Sequence, residues 1–249
     1  MVRPEGCRGV LARAVRVAVV EQVGYREWTE ELGSDREWII QTLQSDIYAA
    51  AQKEAAKYGG FVLPIRYDIM LLISSNMSVG EHARVLDTVA SLSKVRVRMA
   101  SYCSVRPLDA VEKAWSALHD KGDRLIYEPC EAEEYASIAH IDLNNVTAIT
   151  RAEGPVRTYY EVMDLMAKIS KVAEEIGAVT QYLGGDNILA VIPLTGSVER
   201  TVEKLLVRND LKAGIGIAPT ARASLALAAE ALHEIRAKVN PGPIVVKTQ

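Results

Sequence analysis

Two aspartates and a lysine, far apart along the chain, are the residues best equipped to do chemistry together. Asp142 ends the segment Tyr135–Asp142 (YASIAHID), Asp186 sits in the run Gly184-Gly185-Asp186-Asn187, and Lys212 stands near the start of Leu211–Ala218 (LKAGIGIA). Two carboxylates beside an ammonium suit a divalent cation that carries a polyphosphate. Hard oxygens hold Mg²⁺, phosphate oxygens complete its octahedron, and the lysine offsets residual negative charge. The paired glycines would let the backbone approach a ligand with no Cβ in the way. Plainer roles compete: an aspartate in a hairpin turn is commonly a turn former, and a lysine opening a strand is usually solvated. The three residues gain meaning only if the fold gathers them. No Ser-His-Asp order, H-E-x-x-H pair or Walker loop offers another site.

The elements that must gather them follow from periodicity. Tyr135–Asp142 reads as a buried strand. A loop closed by Gly154-Pro155 leads to a helix whose apolar Val162, Met166, Ile169, Ala173 and Ile176 mark one buried face, and Gly177 stops it. Ala178–Leu183 and Ile188–Pro193 form a hairpin about the Gly184–Asn187 turn. A short helix near Ser197–Val207 and the strand Leu211–Ala218 come next. Pro219 opens an Ala-rich helix to about Val239, and Pro241-Gly242-Pro243 precedes a strand Ile244–Lys247.

The first half keeps the same order. Val15–Val23 is a strand, and a capping box at Ser34 and Glu37 opens a helix that Gly59-Gly60 ends. Phe61–Arg66 and Ile69–Ser74 form a hairpin around Tyr67-Asp68. A helix near Val79–Leu92, a strand Val95–Val105, a helix opened by Pro107 and a strand Arg124–Tyr127 complete it. The economical reading is an α+β protein of two tandem ferredoxin-like β-α-β-β-α-β domains, each an antiparallel sheet covered by helices. Residues 1–14 would be a flexible arm, 15–128 the first domain and 129–249 the second; one larger α/β domain is the alternative. In such a unit the first strand lies between the third and fourth, antiparallel to both. Its C-terminal end therefore meets the start of each neighbour. In the second unit those places hold Asp142, the Gly184–Asn187 turn and Lys212.

Composition bounds the partners. The 249 residues carry 29 basic and 32 acidic side chains, a net charge of -3, with 49% hydrophobic and 24% charged residues. That profile excludes a disordered or fibrous chain. It supplies no global pull toward nucleic acid or an anionic membrane, so neither is an expected partner and an anionic ligand must be held locally. No apolar run approaches the ~20 residues of a membrane span. The first sixteen residues lack the apolar core of a secretory signal, and a cytoplasmic protein is expected. Cys7, Cys103 and Cys130 show no C-x-x-C or nearby H-x-x-H spacing, so a zinc site is not expected. Three unpaired thiols of a reducing compartment are the expectation, with a disulfide between two of them the alternative.

At this point a resemblance is specific. AHIDLNNVT (Ala139–Thr147), YLGGDNILAVIP (Tyr182–Pro193) and LKAGIGIAPTARAS (Leu211–Ser224) resemble the motifs of the archaeal GTP cyclohydrolase III family. YREWTEELGSDREWIIQ (Tyr25–Gln41) and Arg66-Tyr67-Asp68 resemble its first-half motifs, so the likeness spans nearly everything after about Arg16. It implies domains related to GGDEF and class III nucleotide cyclase palm domains. It also implies a Mg²⁺-dependent hydrolase that opens the imidazole ring of GTP and keeps the formyl group. The products would be 2-amino-5-formylamino-6-(5-phosphoribosylamino)pyrimidin-4(3H)-one and two inorganic phosphates, feeding riboflavin and deazaflavin synthesis. Two or more Mg²⁺, activation by a monovalent cation such as K⁺, and a homo-oligomer, a tetramer, are implied as well.

Carried onto this chain, Asp142 and Asp186 would be the catalytic metal ligands, with the Leu143 carbonyl a third. Backbone N–H groups of Asn144, Asn145, Val146 and Thr147 would cradle phosphates, and Gly184, Gly185, Asn187 and Lys212 would complete the nucleotide site. Two departures stand out. Asn187 replaces the acidic residue of the GGDEF signature, which argues against a diguanylate cyclase. In the first half the position matching Asp142 reads as Val23, leaving Asp68 alone and the first site degenerate. Arg66 and Asp68 would then touch nucleotide from the side or across a subunit interface, or form a plain surface ion pair. His140 is the nearest titratable group that could activate water, and otherwise a satisfied core histidine. The competing functions are a non-catalytic GTP-sensing module and, behind it, a nucleotidyl cyclase.

Overall fold

A computed structural model describes residues 13–237 and 242–249. The first twelve residues of the expected arm, and the expected end of the last helix near Val239, lie outside the described residues. The first unit runs β1 (Arg13–Val23), α1 (Tyr25–Glu31), α2 (Glu37–Lys57), β2 (Phe61–Leu63), β3 (Ile69–Ile73), α3 (Val79–Leu92), β4 (Arg96–Ser104), α4 (Pro107–Lys121) and β5 (Leu125–Tyr127). After it come β6 (Glu133–Glu134), β7 (Ala136–Leu143), α5 (Val146–Glu153), α6 (Pro155–Ile176), β8 (Val179–Gly184), β9 (Asn187–Val191), α7 (Val198–Leu205), β10 (Leu211–Ala218), α8 (Ala221–Arg236) and β11 (Ile244–Thr248).

The two sheets have one topology. The first is ordered β2-β3-β1-β4-β5, with β6 added beside β1, and the second reads β8-β9-β7-β10-β11. In each, the opening strand is central and antiparallel to both neighbours, while the last strand is parallel to the fourth. The chain is thus an α+β protein of two tandem palm-type domains. Continuous apolar runs such as Val17–Val20 and Ile188–Val191 fit strands buried on both faces. One face of the first sheet packs on α2 and α3, and one face of the second on α6 and α7. The remaining faces share a core in which Val15, Val17 and Val19 meet Val179, Leu189 and Val191 with alanines of α4.

The contacts that lock the units are reciprocal, as in an isologous dimer. Leu108 N–H at the start of α4 donates to Gly177 O after α6 (3.1 Å), and Arg222 N–H at the start of α8 donates to Gly59 O after α2 (3.0 Å). A buried arginine ties in the connecting segment. Arg16 donates to Glu134 (2.8 Å) and to Glu128 O (2.9 Å), and its guanidinium lies over the Tyr127 ring.

Several expectations are corrected here. Cys103 and Cys130 form a disulfide across a sequence separation of 27, so they are not free thiols. It staples the end of β4 to the segment between the units, next to the Arg16 cluster. The expected capping box at Ser34 and Glu37 is absent: Arg36 precedes α2 with no side-chain cap. A capping box occurs instead at Ser78 and Glu81, opening α3. The segments after β1 and β7 are not plain loops. Each holds a short helix, entered through a left-handed residue, Gly24 (φ 80°) before α1 and Asn145 (φ 61°) before α5.

Register also moves the first-unit counterpart of Asp142. In the second sheet Ile188, two after Asp186, pairs with Ile141, and the next residue, Asp142, pairs with Lys212. In the first sheet Met70, two after Asp68, pairs with Val20, and the next residue, Glu21, pairs with Arg98. Gly24 and Asn145 then fall in step as well. Glu21, not Val23, is therefore the counterpart of Asp142. The two positions lie two residues apart on one face of β1, so hydrophobic alternation cannot distinguish them.

Candidate functional site

Asp142 lies at the end of β7, only 3% exposed. Its Oδ2 accepts from Lys212 Nζ at 2.6 Å and its Oδ1 from Arg236 Nη2 at 3.0 Å. Lys212 also donates to Asn144 Oδ1 at 2.7 Å. Arg236 arrives because α8 lies directly on β10. A Cβ at Gly214 would stand 2.1 Å from Ala228 O, and one at Gly216 1.9 Å from Ser224 O. Only a bare strand admits the helix that closely. Running back along β10, α8 ends beside Asp142.

Asp186 comes from the tip of the β8–β9 hairpin, two strands removed from Lys212. Gly184 (φ 110°) and Gly185 (φ 63°) make the turn. A Cβ at Gly184 would meet nothing within 4 Å, so it is the left-handed backbone and not crowding that calls for glycine there. The carboxyls of Asp142 and Asp186 perturb each other. Burial opposes ionisation of Asp142, but its interactions with Lys212, Asp186 and Arg236 outweigh that and hold its carboxyl below the usual range. Burial pushes Asp186 up, and the neighbouring Asp142 charge pushes it further. A divalent cation placed between them would relieve that repulsion.

The carboxyls open onto a cleft of about 940 Å³. Asp142, Leu143, Asp186, Asn187, Lys212 and Arg236 line it, facing Asn145, Val146 and Thr147 at the start of α5 and Arg151 in its last turn. The first N–H groups of a helix have no intrahelical acceptor and sit at its positive end, a natural anion cradle. A second hollow of about 380 Å³ adjoins the first across Asp186 and α5, lined by Thr150, Thr158, Tyr159 and Tyr182 among others.

Most of the expected residues meet here, with three exceptions. Asn144 N–H donates to Asp210 O at 2.9 Å, so it is spent and leaves the proposed cradle; its side chain holds Lys212 instead. Gly184 shapes the hairpin without lining either hollow, and Gly185 lines only the second. Arg236 and Arg151 were not anticipated. Arg236 had a signal, since a helix returning from the end of β10 must finish near its beginning, where Lys212 lies. His140 is half-buried and donates through Nε2 to Asn187 Oδ1 at 2.8 Å; it is a satisfied histidine, as in the second of its two readings, and does not line the cleft.

The first unit carries the same frame in closed form. Arg98 Nε donates to Glu21 at 2.6 Å, and its other nitrogens reach Leu118 O and His119 of α4. Arg66 Nη2 donates to Asp68 Oδ2 at 3.0 Å beside this. Where the second unit has Gly214 and Gly216, the first has Ala100 and Tyr102 on β4.

Among the described residues no three His, Cys, Asp or Glu side chains converge as a metal site. A cation held by the Asp142–Asp186 pair would therefore need backbone, water or a bound anion to complete its shell. An all-oxygen donor set beside a phosphate-type cradle fits Mg²⁺. Fold and site together thus define a protein of duplicated palm-type domains whose second unit opens a cleft lined by both carboxylates and cations.

Comparison with known proteins gives the family. The model of the GTP cyclohydrolase III family matches residues 17–249. A GTP cyclohydrolase III of Aeropyrum pernix is 86% identical over 237 residues, covering 95% of this chain and 98% of its own. One from Saccharolobus solfataricus is 31% identical over 222 residues, covering 89% and 95%. The GGDEF domain of a Pseudomonas aeruginosa protein is a loose structural likeness, with a TM-score of 0.38, 17% identity, and coverage of 45% of this chain and 81% of that one. The chain belongs to the GTP cyclohydrolase III family, and is an enzyme, a hydrolase. No helix among the described residues is long and apolar enough to cross a membrane.

Proposed function

We propose that this chain is a Mg²⁺-dependent GTP cyclohydrolase that opens the imidazole ring with retention of the formyl group. It would yield 2-amino-5-formylamino-6-(5-phosphoribosylamino)pyrimidin-4(3H)-one and two inorganic phosphates for riboflavin and deazaflavin synthesis. Ring opening consumes one water, and trimming the triphosphate to a monophosphate consumes two more. The observation that carries the reading is the meeting of Asp142 and Asp186 at the rim of a cleft that also presents Lys212, Arg236 and the first turn of α5.

In this reading Asp142, Asp186 and the Leu143 carbonyl hold Mg²⁺, and the N–H groups of Val146 and Thr147 with Lys212 hold the triphosphate. When bound, the metal would polarise phosphoryl oxygens and lower the pKa of coordinated water. Lys212 is steered by Asn144 and Asp142, so its charge is fixed before substrate arrives, and Arg236 pairs with the other oxygen of Asp142. The adjoining hollow beside Tyr159 and Tyr182 is placed to take the base once the phosphates lie over α5. A monovalent cation and a homotetramer belong to the same proposal.

Incubation with GTP and Mg²⁺ tests it. Ring opening changes the ultraviolet spectrum and releases two phosphates per GTP. Intact GTP that still raises the melting temperature would instead indicate a sensor, and pyrophosphate with a cyclic or dinucleotide product a cyclase.

A further inference from the structure

Asp142 has two cationic partners, whereas among the described residues Asp186 forms no salt bridge. What stands beside Asp186 is an amide. Asn187 Nδ2 donates to Gly184 O at 3.2 Å and lies 3.5 Å from Asp186 Oδ1. On its other side Asn187 Oδ1 accepts from His140 Nε2 at 2.8 Å. An amide oxygen only accepts, so His140 must carry its proton on Nε2. Turning the amide over would set its oxygen against Gly184 O and the Asp186 carboxylate. Gly184 O and the Asp186 carboxylate thus select the amide orientation, and His140, as its Nε2–H tautomer, anchors the amide in it from the other side.

The sister unit shows that the fold does not demand this pair. By register Val19 takes the place of His140, since it pairs with Leu71 as His140 pairs with Leu189. Ile69, the residue after Asp68, takes the place of Asn187. Both line a wholly apolar crevice with Leu71, Leu108 and Trp115. A polar pair on a half-buried sheet face brings a desolvation cost that an apolar pair avoids. It occurs in the unit with the open cleft and not in the sealed one.

We propose that His140 is a positioning residue: by orienting the Asn187 amide, it fixes the Asp186 carboxyl for the divalent cation that accompanies a nucleoside triphosphate. Asn187 thereby serves the cation by holding its ligand and not by ligating it. This rests on the proposed function above.

The test uses the full chain, with Mn²⁺ binding measured by calorimetry in the presence of a non-hydrolysable GTP analogue, and Mg²⁺ half-saturation of turnover alongside. Partners that orient a metal ligand are typically worth about 10–100-fold in metal affinity. His140→Leu and Asn187→Ala should each weaken Mn²⁺ binding by about that factor, and the double variant should be no worse than the worse single. His140→Gln, which keeps a side-chain N–H donor, should recover most of the loss. His140→Val with Asn187→Ile copies the pair the first unit already folds around, so it guards against a trivial folding failure. It should melt as the wild type does yet bind Mn²⁺ weakly. Wild-type Mn²⁺ affinity in that folded double variant, or a His140→Gln variant as weak as His140→Leu, would overturn the relay while leaving the GTP site standing. A wild-type protein that takes up neither Mn²⁺ nor the analogue would overturn both.

Discussion

The two units place a carboxylate, a second carboxylate and a cation at matching positions, and among the described residues it is the second unit's carboxyls that face the large cleft. In the second unit Asp142, Asp186 and Lys212 look onto about 940 Å³ of open space. In the first, Glu21 is bound by Arg98, whose remaining nitrogens are taken up by the end of α4. A longer carboxylate meets a forked guanidinium, and the pair closes on itself. The hairpin differs in the same sense: Gly184-Gly185 leaves the tip bare, while Arg66-Tyr67 covers it and Arg66 occupies Asp68. The lesson is that duplication preserves the frame cheaply, whereas a site survives only where the cations are left a ligand to hold.

The sharpest way to break this comparison is to exchange the roles of its carboxylates. Asp142→Asn or Asp186→Asn should lower kcat by more than about 100-fold, because a metal clamp supplies several kcal/mol. The fold should persist, since asparagine suits a turn. Glu21→Gln should do the reverse. It leaves Arg98 largely buried without its counter-charge, at about 3 kcal/mol, the low end for breaking a buried pair. Melting temperature should fall while kcat per folded molecule holds. Equal loss of turnover from both units would refute the assignment of one working site.

Next in size is the disulfide, which belongs to the first unit and the connecting segment. Reduction, or Cys103→Ser, should cost about 2–4 kcal/mol of stability through the loop it closes, read as an earlier denaturant midpoint. Turnover at moderate temperature should be unchanged. Gly216→Ala should cost about 1–3 kcal/mol by overpacking and also weaken GTP binding, because α8 carries Arg236. Its counterpart Tyr102 on β4 tolerates a side chain, so Tyr102→Phe should leave nucleotide binding alone.

A smaller effect is expected with pH. Burial, and after it the Arg16 charge, hold His82 below the ordinary histidine value against the pull of Ser78 O, Glu134 and Glu81. The unfolded chain then binds a proton near about pH 6.5 that the folded chain refuses. Stability should be full above that pH and decline as pH falls below it. His82→Gln should flatten that part of the melting profile; an unchanged slope would remove His82 as its source. Least of all, Asp68→Asn should change stability by only about 0–1 kcal/mol, as for exposed ion pairs generally, and leave turnover intact.

Much of this was legible in the sequence, for local reasons. Leu211–Ala218 is bounded as expected because its small and β-branched residues and Pro219 mark both ends. The meeting of Asp142, Asp186 and Lys212 followed from strand order alone. What escaped detection was tertiary. The helices α1 and α5 start from left-handed residues without side-chain caps, so no capping signal announces them. Cys103 and Cys130 are joined because β4 and the connecting segment both gather around buried Arg16, which spacing cannot reveal. Arg236 needed the flat seating of α8 on Gly214 and Gly216. Glu21 was masked by Val23 because the two share a face of β1, and only the pairing partner tells them apart.

A crystal structure with Mg²⁺ and a non-hydrolysable GTP analogue would interrogate the comparison head on. Cation density is expected between Asp142 and Asp186, with phosphates over Val146 and Thr147 within reach of Lys212, and nothing bound at Glu21 and Asp68. Nucleotide seated in the first unit, or a cation that ignores both aspartates, would contradict it.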